Sequence, residues 1–358
     1  MTERVLIVRL GALGDVANCM PAVAGLRRAM PDAELTWLVE EGAAGLVEID
    51  RDVDDVIVFP RRAISRAIKR PWLWPQCCAL LWSSVREIRA RAFTRVLDFQ
   101  GHLKSGLLAL STGCAWRAGF VEGHSKEGNH RFQTAGVELP ERPVSRRERA
   151  VRMARAVAPD AEPLPPNLRV GTVNMDIVRG FVNRLPDGPL VAIHPGASEF
   201  GAFKRWPPER FGELARALSS EFQATCVVTH GPEESPSALQ ELLCAAGGAA
   251  RLAPFFTVAQ LAGFLRESDL FVGADSGPLH VAAAVGTKTV AIFGPKDPQV
   301  YAPPGSAVVR RSDLECSPCD KRTCRAPRCL LELSSEQVVA ACREALSQRR
   351  EAAAPRPA

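Results

Sequence analysis

The chain opens on an apolar strand, Val5–Leu10, that runs into a glycine loop, Gly11-Ala12-Leu13-Gly14-Asp15, and then into a helical pattern over Val16–Met30 closed by Pro31. Strand-like runs follow at Leu35–Val39, Val56–Phe59 and Val96–Phe99, separated by helical patterns such as Ser83–Arg91. Strands that are apolar throughout and alternate with helices predict a doubly wound parallel sheet, covered on both faces. A second series begins at Leu190–His194 and continues with strands at Cys226–His230, Leu270–Gly273 and Thr289–Phe293. Its helices are expected at Pro208–Ser219, Ser237–Ala245, Val258–Arg266 and Pro278–Val285. Between the series, Ala158–Leu168 holds Pro159, Pro163, Pro165 and Pro166, a stiff segment unsuited to helix or central strand. The chain therefore divides into a domain over 1–165, a second over 166–333, a helix over 334–347 and a disordered Ala/Pro/Arg-rich tail over 348–358.

A length of 358 residues suits two such domains, and 46% hydrophobic with 24% charged residues is the balance of a globular protein, which excludes disordered and fibrous classes. The longest apolar stretches fall well below the roughly 18 residues of a membrane span, and the N-terminus lacks the apolar core of a secretory signal. A cytoplasmic protein is expected. Eleven cysteines without an export signal then point to reduced thiols or a metal site.

Charge adds a partner to this picture. The net charge is only +5, yet residues 61–155 carry 19 Lys and Arg against 7 Asp and Glu, a local surplus of +12 that starts with Arg61, Arg62, Arg66, Lys69 and Arg70. Such a field attracts an anionic partner. Trp72, Trp74 and Trp82 follow at once, and basic segments with aromatic residues also rest on anionic membrane surfaces. A solvated Arg-rich face beside core tryptophans is the plainer alternative. The stretch carries no recognised nucleic-acid-reading motif, so nucleic acid is not expected as a partner.

Ligands of doubly wound sheets bind beyond the carboxyl ends of the strands, which directs attention to the strand-end loops. Gly11 and Gly14 let backbone amides approach a phosphate at a helix start, although the loop fits neither the dinucleotide fingerprint nor the P-loop. Asp15 reads either as a carboxylate capping the helix or as a general base for an attacking hydroxyl. Gln100, Lys104 and Ser105 lie in the loop after Phe99, inside the basic region, where Lys104 and Ser105 suit an acidic group of an acceptor. In the second half, Ser198 and Lys204 suit a diphosphate. Ser276 and Gly277 offer amides at the start of another helix, with Asp275 and His280 beside them and Lys296 in the next loop. Glu233 and Glu234 suit ribose hydroxyls. Cys316, Cys319, Cys324 and Cys329 fit a structural zinc or iron–sulfur site, or else a disulfide or free thiols.

Together these loops resemble glycosyltransferase family 9, the ADP-heptose:lipopolysaccharide heptosyltransferases. The resemblance spans residues 4–345 and rests on VLIVRLGALGDV, DFQGHLKSG, IHPGAS followed by KRWP, GADSGPLHVAAAVGTKTVAIFGPKDP, and CSPCDKRTC. It implies a GT-B architecture of two Rossmann-like doubly wound parallel-sheet domains facing a central cleft, with acceptor on the N-terminal and nucleotide sugar on the C-terminal domain. It implies that the last helix packs back onto the first domain, that Asp15 is the catalytic base, and that Lys204 contacts donor phosphate. Asp275, Ser276, Gly277 and His280 match a donor-binding segment, and one of Glu233 and Glu234 matches a ribose-contacting acid. Lys296 stands where many relatives have threonine. The expected activity is transfer of heptose with inversion from ADP-heptose to an anionic glycolipid of the lipopolysaccharide core, at the inner leaflet, with no cofactor required. Another nucleotide sugar or a protein acceptor is the alternative within the enzyme class. A non-enzymatic nucleic-acid or metal-binding protein is the alternative outside it.

Overall fold

The computed structural model describes residues 2–196, 199–319, 321 and 323–353, and the chain divides into two units at Arg169/Val170. The first unit holds one six-stranded parallel sheet in the order β3-β2-β1-β4-β5-β6, with β1 Arg4–Val8, β2 Glu34–Glu40, β3 Asp55–Phe59, β4 Arg95–Asp98, β5 Arg117–Phe120 and β6 Ala135–Val137. The helices are α1 Leu13–Ala29, α2 Glu41–Val47, α3 Arg61–Ile68, α4 Trp74–Ala90, α5 Leu103–Ser111 and α6 Arg146–Arg155. Strand β1 lies between β2 and β4, pairing Val5 with Leu35 and Arg95, and its residues Val5–Val8 are wholly buried. The strand order reverses at this point, so the loops after β1 and β4 diverge and leave room for a ligand at their carboxyl ends.

The second unit repeats the plan. Its order is β12-β11-β10-β7-β8-β9, all parallel, with β7 Leu190–His194, β8 Thr225–Val228, β9 Ala250–Leu252, β10 Leu270–Ala274, β11 Thr289–Ile292 and β12 Ala307–Val309. Around it lie α7 Thr172–Val182, α8 Pro208–Phe222, α9 Pro236–Ala246, α10 Val258–Glu267, α11 Gly277–Ala284, α12 Pro298–Tyr301, α13 Arg328–Leu331 and α14 Ser335–Ala353. The reversal falls between β7 and β10, again at the first strand of the unit.

Two expectations about organisation change, the domain boundary and the start of the tail. The proline-rich stretch is no free linker: Leu164 N–H donates to the Pro21 carbonyl, and Leu168 bridges Asp50, so the boundary moves past Arg169. The last helix buries Val338, Val339, Cys342 and Leu346 in the core of the second unit, against α8 and β11. The tail expected from 348 is helical through Ala353, and 354–358 lie outside the described residues. No described helix is long and apolar enough to cross a membrane.

The proline stretch lies so close to α1 that a Cβ at Gly25 would stand 2.0 Å from the Glu162 carbonyl oxygen. Gly25→Ala is therefore expected to cost about 1–3 kcal/mol of stability, read as a lower Tm. Gly42→Ala, where nothing lies within 4 Å, should leave Tm unchanged or raise it.

Asp50 is buried beside this segment, accepting from the Asp52 amide at 3.1 Å, and burial pushes its carboxyl up to about 7 from 3.8. Between those values the folded chain keeps a proton that the unfolded chain has lost, so stability falls as pH rises through the window. Denaturant unfolding at about pH 5 and about pH 8 should show this decline, and Asp50→Asn should flatten it.

Candidate active site

The end of β1 is organised around Arg9. Its side chain is nearly buried, Nη1 donates to the Phe99 carbonyl at 3.1 Å, and Nη2 lies 2.5 Å from Asp15 Oδ2. Asp15 is the third residue of α1. The N-cap is Ala12, so the capping reading of this carboxylate gives way to an ion pair. Arg146, the first residue of α6 behind the Ser145 cap, brings Nε to 4.0 Å from Asp15 Oδ1. One turn on, the Arg149 guanidinium lies 3.6 Å from the centre of the Phe120 ring and donates to the His124 carbonyl. Burial, and then Arg146 and Arg9, bring Arg149 down to about 10, which leaves it charged at neutral pH. Arg9, Asp15, Asn18, Cys19, Phe99 and Arg146 line a small cavity with Arg149, and burial raises the Cys19 thiol to about 11, keeping it protonated. The half-exposed Asp15 carboxylate thus sits in a pocket of fixed positive charge.

The remaining candidates of this unit separate into two groups. Lys104 and Arg61 converge on Glu40, a nearly buried carboxylate at the end of β2: Lys104 Nζ pairs with Oε1, and Arg61 Nη1 lies 3.0 Å from Oε2. A Cβ on Gly11 would stand 3.7 Å from that same Oε2, so the glycine loop and this cluster adjoin. Arg62 is exposed, and its amide donates to Glu41. The other group is structural. Ser105, expected to meet an acceptor, is fully buried and donates to Asp98 Oδ2 at 2.9 Å while closing a capping box with His102. Gln100 Oε1 accepts from the Leu10 amide at 2.9 Å, tying the loop after β4 to the loop after β1. Gly14 is buried in the first turn of α1 and accepts from Asn18. Asp98, held by the Gln100 and Gly101 amides and by Asn129, has its carboxyl raised by complete burial.

In the second unit, Lys204 closes a short 3-10 turn, and Nζ reaches Asp275 twice, at 2.7 Å to Oδ2 and 3.2 Å to the carbonyl oxygen. His280 Nε2 lies 3.6 Å from the other carboxylate oxygen. Burial alone would raise Asp275, but His280 and Lys204 outweigh it and hold the carboxyl below its ordinary range. Asp275 thereby fixes the lysine beside the start of α11. There Ser276 is the N-cap, its buried hydroxyl has no hydrogen-bond partner, and Gly277 is the first helical residue. First-turn amides have no intrahelical acceptor, so a lysine, a hydroxyl and a helix N-terminus collect at one point, a combination suited to a phosphate oxygen. Lys296 joins them: its Nζ and that of Lys204 each lie 5.9 Å from the Phe203 ring centre.

The two glutamates resolve differently. Glu234 turns inward, 3.3 Å from His194 Nε2, and its Oε2 accepts from the Gly231 amide. Burial opposes ionisation, yet His194 and the amide hold its pKa below the ordinary value. A Cβ at Gly196 would come within 2.0 Å of Glu234 Oε1, so the loop after β7 packs on this carboxylate. Glu233 is exposed. Ser198 lies outside the described residues.

The cysteine expectation is corrected. Cys316, Cys319, Cys324 and Cys329 are free thiols, Cys316 and Cys324 are exposed, and among the described residues no group of three or more His, Cys, Asp or Glu is placed to hold a metal ion. Cys329 packs instead against the core of the second unit, where burial and the thiols of Cys319, Cys316 and Cys324 raise its pKa. The Cys319 amide donates to the Pro295 carbonyl, so the segment buttresses the loop that carries Lys296.

Arg9, Glu40, Arg149 and Phe203 were not among the sequence candidates. A charged residue at the end of an otherwise apolar central strand, as at Arg9 and Glu40, is the signal that would have found two of them.

Comparison with known proteins assigns the family and the fold. The profile described as glycosyltransferase family 9 (heptosyltransferase) matches residues 81–330. Lipopolysaccharide heptosyltransferase 1 of Pseudomonas aeruginosa is 29% identical over 350 residues, covering 93% of this chain and 92% of that protein. The structure of Escherichia coli ADP-heptose LPS heptosyltransferase II superposes with a TM-score of 0.74 at 21% identity, over 97% of this chain and 99% of that one. E. coli heptosyltransferase WaaC with ADP-2-deoxy-2-fluoro heptose gives 0.72 at 22% identity, over 95% and 99%. With a profile that spans more than half of its length and two Rossmann-like sheets of the GT-B class, the chain belongs to glycosyltransferase family 9, the heptosyltransferases, and is a glycosyltransferase.

Proposed function

We propose that the protein transfers heptose, with inversion, from ADP-heptose to an anionic acceptor of the lipopolysaccharide core, lipid A–Kdo or heptosyl-Kdo. The observation that carries the donor half is the meeting of Lys204 with the unpaired Ser276 hydroxyl and the first amides of α11. An ammonium has three donors, and Asp275 takes two of them, which orients the remaining one. Lys204, Ser276 and the Gly277 amide then neutralise the charge that builds on the diphosphate as the glycosidic bond breaks. Lys296 adds a second cation, and Glu233, the exposed member of its pair, supplies an acceptor for ribose hydroxyls.

Asp15 takes the proton of the acceptor hydroxyl as that oxygen attacks the anomeric carbon. Arg9 fixes the orientation of its carboxylate. Arg146 and Arg149 make the surroundings favourable for a carboxylate- or phosphate-bearing sugar, and Lys104, Arg61 and Arg62 extend the positive surface. A single displacement inverts the anomeric centre, and no step calls on a metal. The lipid-borne acceptor places the enzyme at the cytoplasmic face of the inner membrane.

The test is donor choice. ADP-heptose is expected to raise Tm and to support transfer to a Kdo-terminated core, whereas UDP-sugars do neither. Turnover with a UDP-sugar alone, or with a protein acceptor in place of the glycolipid, would replace this reading.

A further inference from the structure

Helices α3 and α4, joined through a 3-10 turn at Pro71–Leu73, form a hairpin whose two faces differ sharply. The inner face is packed, with Ile64, Ala67, Cys77 and Ile88 in the core of the first unit and Leu73 and Leu80 against it. The outer face carries three indoles in solvent: Trp72 is 74% exposed, Trp74 58% and Trp82 65%, with Ile68 at 59% beside them. Because the inner face is already occupied, these tryptophans are not core residues displaced by poor packing. Helix α5, which packs beside α4, adds Leu103, Leu107 and Leu110, exposed on one stripe at i, i+4 and i+7. Large apolar side chains left exposed together on neighbouring elements mark an interaction surface.

Its charge identifies the partner. Residues 61–91 hold eight Lys and Arg against a single acidic residue, Glu87, a surplus of +7. Arg66, Lys69 and Arg70 are exposed next to Trp72 and Trp74, and the Arg86 guanidinium lies 5.4 Å from the centre of the Trp82 ring. Indoles settle at the headgroup level of a bilayer, where an apolar ring meets water, and adjoining Lys and Arg are attracted to anionic headgroups. We propose that this hairpin docks the enzyme flat on an anionic bilayer surface, with Trp72, Trp74 and Trp82 inserted at the headgroup level and Arg66, Lys69 and Arg70 on the lipid phosphates. The proposal extends the reading of a lipid-borne acceptor, which would then reach the protein from the surface on which it rests.

Cosedimentation with vesicles tests it. The full chain is expected to bind vesicles of phosphatidylcholine with about 30% phosphatidylglycerol, to ignore pure phosphatidylcholine, and to lose binding in about 0.5 M salt. The Trp72→Ala/Trp74→Ala/Trp82→Ala variant, and separately Arg66→Glu/Lys69→Glu/Arg70→Glu, should lower the bound fraction by about tenfold, with Tm confirming that each variant is folded. Transfer from ADP-heptose to a water-soluble, delipidated acceptor should stay within about twofold of wild type in the tryptophan variant. That arm reports on the catalytic reading separately, because a wild type inactive there but bound to vesicles overturns the reaction and keeps the docking surface. Equal binding to neutral vesicles, or undiminished binding by the tryptophan variant, would overturn the proposal. A self-associating wild type that ignores vesicles and becomes monomeric in the tryptophan variant would assign the face to a second copy, and RNA binding without vesicle binding would assign it to nucleic acid. Either result also overturns the proposal.

Discussion

Lys204→Met is expected to lower kcat by about 10²–10³-fold and to raise KM for the nucleotide sugar, because it removes the ammonium that Asp275 holds at the start of α11. Lys204 is held by Asp275 through both a carboxylate oxygen and the carbonyl, and His280 shares the carboxylate. Deleting the lysine leaves a buried carboxylate with one cation fewer, so some stability is lost as well, and Tm must be recorded beside the rate. Lys204→Arg keeps the charge but replaces three rotatable donors with a planar fork that does not fit the same three directions. It should restore stability more fully than turnover. Steady-state kinetics with varied donor, together with calorimetric binding of ADP, distinguishes a phosphate ligand from a packing residue: the phosphate reading requires weaker ADP binding in Lys204→Met.

Asp15→Asn should leave donor binding unchanged and lower kcat by about 10²–10⁴-fold, the range that a positioned general base contributes. The amide is nearly isosteric but takes no proton, so the loss falls on the chemical step. Arg9 loses an ionic partner in this variant while keeping its bond to the Phe99 carbonyl, which limits the structural cost. Arg9→Met makes the complementary case: it leaves the base in place but frees its orientation, and a smaller loss is expected, partly restored by Arg9→Lys.

The doubly wound architecture was legible because its central strands are short runs of wholly apolar residues bounded by glycine turns, as in Val5–Val8 and Leu270–Ala274. Outer strands were not. β6 is Ala-Gly-Val and β9 is Ala-Arg-Leu, three residues each, with too little apolar length to form a pattern. The strand-end loops pointed to Lys204, Asp275, Ser276 and His280, which do gather at one helix start, since polar residues in a glycine turn after a buried strand have few structural uses. The same logic failed at Ser105, whose hydroxyl serves the corner between β4 and α5 and never reaches solvent. Arg9, Arg149 and Glu40 escaped notice because their roles come from strand neighbours far apart in sequence: Glu40 meets Arg61 and Lys104 only once β2, β1 and β4 lie side by side. The four cysteines had metal-like spacing, yet among the described residues no group of three or more is placed to hold a metal ion, since spacing does not fix ligand geometry. The last helix buries an apolar stripe, Val338, Val339, Cys342 and Leu346, in the core of the second unit.

The claim on which the reaction depends is that the Asp15 carboxylate carries the proton. Chemical rescue measures this most directly: turnover of Asp15→Ala, followed by ADP release with ADP-heptose and a Kdo-terminated acceptor, with formate, acetate or propionate added. An enzyme slowed by about 10²–10⁴-fold is expected, with a rate that recovers with added carboxylate and climbs with carboxylate basicity. An Asp15→Ala enzyme that turns over within about tenfold of wild type without any added carboxylate would contradict the claim.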